Sequence, residues 1–218
     1  MPRLLLPLLP LALLLSAPLA QADDDGAPLI NGCRLQADSR CPGADLRGAD
    51  LRHLDLRRID LSGADLTGAD LRHARLDLAN LEKAKLAGAD LTRASLQQTN
   101  LRLADFSGAR LVAVNGWNLH GQAARFTGAD LTAANLEFAR LSGARLHETN
   151  LTAANLEMAW LNKADFKGAS LRDANLQEAK INDANLEAAD LAGARRHYAT
   201  FQGTNMEGCK ECPLDWEK

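Results

Sequence analysis

Aromatic residues are scarce in this chain, at 4% of the sequence. A core assembled mainly from packed rings is thereby excluded. The apolar 46% is mostly Leu and Ala, which suits only a narrow and regular interior. Neither sign of charge dominates. A formal net charge of -3 excludes electrostatic attraction to nucleic acid or to a membrane surface as the main driving force. Catalytic groupings are also missing. Ser, His and Asp can be combined almost anywhere on so polar a sequence, which gives no combination meaning. The Gly residues follow a short repeat rather than a strand-to-helix phosphate loop. Of the His residues, His53 and His73 lie twenty apart, but the next members of that series are Arg93 and Ala113, so no third metal ligand is supplied. No cofactor or metal site is expected.

Long apolar runs are absent as well, apart from the N-terminus. There Met1-Pro2-Arg3 forms a short positive segment, Leu4 to Leu15 a Leu-rich one, and Ala20-Gln21-Ala22 a small-x-small cleavage site before Asp23. This pattern reads as an export signal over residues 1–22, cleaved after Ala22. A membrane-spanning helix needs about 18 or more apolar residues, and Pro7 and Pro10 interrupt a shorter run. No Cys at the cleavage site indicates a lipid anchor. The expected mature protein is periplasmic or secreted and has no membrane anchor after signal cleavage.

What the sequence has is a repeat of five. From Gly43 the chain reads Gly-Ala-Asp-Leu-Arg-Gly-Ala-Asp-Leu-Arg, and large apolar residues recur at every fifth position from Leu46 to Met206. Among these centres only Gly116, Gly121 and Arg196 are not large and apolar. Residues five apart on an α-helix are rotated by about 140°, so such a repeat makes no apolar stripe. On a strand they fall on opposite faces. A chain that turns one corner per repeat can bury them. Leu46 and Ala44 then point inward, while Asp45, Arg47 and Gly48 point out. Fixed self-similarity of this kind indicates stacked repeats.

The residues resemble the pentapeptide-repeat family, with its A(D/N)LXX motif, over Gly43 to Met206, about three quarters of the chain. The resemblance implies a right-handed quadrilateral parallel β-helix with four repeats per coil and backbone ladders between coils. About eight coils at roughly 4.8 Å each make a rod about 40 Å long. The expected layout is a linker and N-terminal cap at 23–42, a β-helix at 43–206 and a C-terminal cap at 207–218. Within the first segment, Asp23 to Pro28 is a disordered linker and Leu29 to Cys41 the cap. Leu214 and Trp216 are available to cover the far end of the core.

Four Cys in an exported chain favour disulfides. The two pairs stand at opposite ends of the rod, and bridged Cα atoms must lie within about 7 Å. That leaves Cys33–Cys41 and Cys209–Cys212 as staples. A redox role for Cys209-x-x-Cys212 is the alternative, but it wants a helix N-terminus, and none is predicted there.

Adding twenty to each centre sorts the repeats into four faces. One column carries Phe106, Phe126 and Phe166 and is read as core. At 112–125 the large residue moves from the centres Gly116 and Gly121 to Val114 and Leu119, so the solenoid is expected to continue with local distortion. At Arg196 a buried guanidinium is costly, so Arg195 to Tyr198 are expected to swing outward. Among outward positions Phe138 and Met158 stand on successive coils, with Trp160 around the adjoining corner and Trp117 one coil away. These four form a candidate partner or self-association patch.

The preferred reading is a non-catalytic, exported scaffold that presents side chains to a protein or polymer partner. The family also contains cytoplasmic DNA mimics that bind type II topoisomerases. Export argues against that role. So does the series Asp45, Asp50, Asp55, Asp60, Asp65 and Asp70, which Arg47, Arg52, Arg57, Arg58, Arg72 and Arg75 largely neutralise. A thiol-disulfide redox protein is the third possibility. No nucleic-acid partner is expected.

Overall fold

The computed structural model describes residues 21–22 and 26–213. The signal segment up to residue 20 and the proposed end covers Leu214 and Trp216 lie outside the described residues.

Each repeat is a turn with a defined chemistry. Where Asp or Asn precedes a centre, it accepts a backbone hydrogen bond from two residues on. Thr67 N–H donates to Asp65 Oδ1 at 3.1 Å and Thr152 N–H to Asn150 Oδ1 at 3.1 Å. This Asx turn explains why the motif favours Asp or Asn there. Two residues after each centre the backbone enters the left-handed region. Gly68 has φ +65° and Phe138 φ +59°. Glycine is the least costly residue for that corner. The corner closes when Ala69 N–H donates to Leu66 O at 3.0 Å.

Successive coils are joined three times per face, the corner included, where Gly48 N–H donates to Thr67 O at 3.0 Å. Leu46 N–H donates to Asp65 O at 2.8 Å, and Asp65 N–H donates to Ala44 O at 2.9 Å. Parallel bridges between residues twenty apart run without a gap from Arg40↔Asp60 to Asp190↔Lys210. The architecture is therefore a right-handed quadrilateral β-helix with four repeats per coil. Centres such as Leu46, Leu66 and Leu86, and the Ala residues two before most of them, are buried. Phe106 and Phe126 stack at 5.1 Å between ring centroids. Where Thr replaces the inward Ala, its hydroxyl reaches a main-chain carbonyl. Thr99 Oγ1 donates to Leu76 O at 2.7 Å and Thr149 Oγ1 to Phe126 O at 2.7 Å, so neither buried hydroxyl is left unpaired. Side-chain amides stack up the outside as well. Asn175 Nδ2 donates to Asn155 Oδ1 at 2.9 Å, one rung of a ladder that starts at Asn115.

The segment 112–125 continues the solenoid, and its ladder shows no distortion. Gly116 N–H donates to Asn135 O at 2.7 Å, the same length as Leu96 N–H to Asn115 O one coil earlier. The cause is steric. A Cβ placed on Gly116 would lie 2.4 Å from Leu119 Cδ2, so Leu119 already occupies the space of the absent centre side chain. A Cβ on Gly121 would meet Leu141 Cδ2 at 2.8 Å. Volume is redistributed inside the coil while the backbone stays in register.

The ends differ from expectation in three places. First, Pro28, read as the last residue of the linker, already lies in a strand. β1 (Gln21–Ala22), β2 (Pro28–Ile30) and β3 (Cys33–Arg34) form an antiparallel sheet in that order, with Pro28 paired to Ala22. Ile30, Cys33 and Leu35 from this sheet and its exit are buried against the first coil. Second, the ladder begins at Arg40, inside the expected cap, and ends at Lys210, past the expected start of the other cap. Cys41 occupies an inward centre one coil before Leu61, and its N–H donates to Asp60 O at 2.7 Å. Third, Arg195 to Tyr198 do not swing outward. Arg195 N–H donates to Ala174 O at 2.9 Å and Glu178 N–H to His197 O at 2.9 Å. Arg196 lies in the last coil, beyond which no further coil follows among the described residues, and its guanidinium donates to the Glu211 carbonyl. The cost of a buried charge never arises. Disulfides join Cys33 to Cys41 and Cys209 to Cys212, with Cα separations of 5.4 and 5.8 Å.

Leu119→Ala should cost about 2–5 kcal/mol by emptying the shared space, and Gly116→Leu should also destabilise by collision. In the double variant the new Leu fills the vacated volume. Its loss should be smaller than the sum of the two single losses in denaturant unfolding. Additive losses would contradict the exchange of volume between these positions.

Candidate interaction surface

The exterior near the N-terminal end is charged but locally neutral. Arg47 grips Asp45 with Nη2 to Oδ2 at 2.6 Å, and Arg52 grips Asp50 likewise at 2.6 Å. Arg57 to Asp55 and Arg72 to Asp70 repeat the motif at 2.5 Å. Arg58 reaches the coil below to bind Asp38 at 2.6 Å, and Arg75 approaches Asp55 at 4.0 Å. Side-chain hydrogen bonds from Arg47, Arg52 and Arg57 hold Asp45, Asp50 and Asp55 down at about 2. Four acids of the series, Asp45, Asp50, Asp55 and Asp70, are thus each masked by a guanidinium.

The His residues do not assemble a site. His53 and His73 stack with centroids 5.0 Å apart and planes 3° from parallel. Among the described residues no group of three or more His, Cys, Asp or Glu side chains is placed to hold a metal ion. His120 has its pKa lowered by burial, with Arg140 and Arg102 adding to the effect.

Against this polar surface the large apolar exceptions stand out. The Trp117 ring meets Phe138 edge-on at 6.1 Å between centroids. Phe138 is 37% exposed, and Met158 follows it one coil later, half-buried. Trp160 is 54% exposed, and the Arg140 guanidinium lies over its ring at 5.6 Å. Among the described residues no ring contact joins Trp160 to Trp117 or Phe138. The four side chains therefore divide into a Trp117–Phe138 unit, with Met158 above it in register, and an Arg140–Trp160 unit on the adjoining strand. Leu103, 54% exposed, went unnoticed in the sequence. It stands two after its centre on the fourth face, and the rule that singles out Phe138 applies to it too. Cys209 and Cys212 lie at the far end, and among the described residues no helix stands beside them.

The profile for pentapeptide repeats matches this chain in eight copies, over residues 44–82, 74–111, 129–168 and 169–208. Comparison with curated proteins gives no match. Among solved structures the chain is similar to HetL from the cyanobacterium Nostoc sp. strain PCC 7120, a pentapeptide repeat protein involved in heterocyst differentiation regulation. The identity is 29%, with 78% of this chain and 86% of that chain covered and a TM-score of 0.58. A trypsin-treated form of QnrB1, a plasmid-mediated fluoroquinolone resistance protein, is 18% identical over 78% of this chain and 88% of that chain, with a TM-score of 0.43. A pentapeptide repeat protein of the Arabidopsis thaliana thylakoid lumen is 23% identical over 65% of this chain and 70% of that chain, with a TM-score of 0.26.

The Asp50 carboxyl should titrate near 2 by NMR and move toward the unperturbed value of about 3.9 in Arg52→Ala. Because the folded value is depressed, this pair's contribution to stability is present above about 3.9 and is lost as pH falls through the folded value. An unchanged Asp50 titration in the variant would contradict the masking of the acidic series.

Proposed function

This chain belongs to the pentapeptide-repeat family, and we propose that it acts there as an exported, non-catalytic scaffold for a protein or polymer partner. The observation that carries the proposal is the Trp117–Phe138 contact, with Phe138 and Trp160 left exposed beside it. Phe138 takes a left-handed backbone conformation at φ +59°, which is unfavourable for a bulky residue. Gly serves that corner in many other repeats. A large ring there adds nothing to the enclosed core, which Leu136 and Ala139 already fill. Grouped apolar side chains on an otherwise polar surface are the usual mark of a contact site. Self-association through the same patch is the alternative occupant.

The N-terminal pattern supports export, with cleavage after Ala22, to the periplasm or the exterior. Mimicry of DNA is disfavoured because each acid from Asp45 to Asp55, and Asp70, is held by a guanidinium. A redox role for Cys209 and Cys212 lacks the helix N-terminus that would lower a thiolate pKa. No cofactor enters this reading.

The test uses the tagged full-length chain, fractionated and crosslinked before capture. The wild type should be recovered outside the cytoplasm, shortened by the signal segment, with one partner or a second copy attached. Phe138→Ala/Met158→Ala/Trp160→Ala together should keep the unfolding midpoint and lose that attachment. Full-length protein in the cytoplasm, or undiminished capture by the triple variant, would overturn the proposal.

A further inference from the structure

A second surface feature is independent of the apolar patch. On one side of the rod the residues before successive centres are Asp65, Lys85, Asp105, Arg125, Arg145 and Asp165, each bridged to the next. Acid and base alternate up to Arg125. Lys85 Nζ lies 3.7 Å from Asp65, and Arg125 Nη1 lies 3.1 Å from Asp105. The alternation then fails, since Arg145 stands directly on Arg125. The next acid does not relieve it. Asp165 has His147 Nε2 at 2.5 Å and accepts from Asn185 Nδ2 at 3.0 Å and Lys167 N–H at 3.2 Å. Among the described residues Arg145 forms no ion pair. Like charges directly opposite on neighbouring strands are destabilising.

The shape beside this pair suits a ligand. Two small residues, Ala123 and Gly143, follow Leu103 on the adjacent outward column. They leave a trough of about 400 Å³ lined by Lys83, Lys85, Leu103, Arg125 and Arg145. A Cβ added at Gly143 would meet nothing within 4 Å. The four cations face a single acid in the trough, Asp105. The guanidinium fork matches tetrahedral oxyanions in two-point contacts. Cations spaced by the coil rise, about 4.8 Å, meet a row of anionic groups several at a time.

We propose that this trough binds a compact oligoanion carrying two or more phosphate or sulfate groups, with Arg125 and Arg145 as its principal contacts. The ligand supplies the negative charge that the ladder lacks at Arg145. Binding at so exposed a site weakens steeply as salt rises.

Calorimetric titration of the full chain at low ionic strength tests the site, with tripolyphosphate and a multiply sulfated disaccharide as probes. One binding event per chain is expected. It should weaken at least about tenfold in Arg145→Gln, which removes a charge-assisted contact, and equally in Ala123→Glu. Glu is accommodated at the equivalent corner at Glu148 and Glu178, so this second variant keeps the fold while placing an acid in the trough. Arg47→Gln, remote from the trough, should bind like wild type. Either probe behaving this way supports the site, and the tighter one assigns it to phosphate or to sulfate. No binding of either probe, or wild-type binding in both trough variants, overturns it.

Discussion

Every coil in this molecule hangs on hydrogen bonds to the coil twenty residues away. Leu46 N–H to Asp65 O, and Asp65 N–H back to Ala44 O, require that each turn of chain contain four repeats and no more. One inserted residue would rotate every later Leu out of the core. The ladder therefore demands constant phase, while it accepts any distribution of volume that fills the interior of a coil. Leu119 against Gly116 illustrates that freedom. The side chain changes position along the chain, and the hydrogen bonds keep their length. Because each coil touches only its neighbours, such an exchange is settled locally.

The same ladder aligns outward side chains into columns about 4.8 Å apart. Alignment magnifies local composition. Asn on Asn becomes an amide stack from Asn115 to Asn175, acid on base becomes an ion pair, and Arg145 on Arg125 becomes concentrated charge. Individual surface pairs contribute little to stability. Their effect is on the electrostatic pattern that a partner meets: masked near Asp45 to Asp70, positive around Arg125 and Arg145. Function on a rod of this kind resides where a column departs from its neighbours.

The architecture was legible because neither helix nor strand can bury a five-residue period. The six Arg residues expected to neutralise the acidic series do each approach an Asp. What the sequence concealed depends on side-chain direction or on the ends. Trp160 stands around the adjoining corner from Phe138 by numbering, and its ring lies against Arg140. Arg196 stays in the ladder because its guanidinium reaches the Glu211 carbonyl, an end contact that the repeat pattern does not encode. Arg145 carries no mark in the sequence, because its stacking on Arg125 shows only once the repeats are laid in register.

Native-state hydrogen exchange across 112–125 tests the account most directly, since the continuity of the ladder underlies every column assignment. The amides of Gly116 and Gly121 donate to the next coil at 2.7 and 2.8 Å. They should exchange within about tenfold of Leu96 and Leu136, as members of one cooperative stack. Exchange of this segment at the rate of an unfolded chain, with protected coils on both sides, would contradict it.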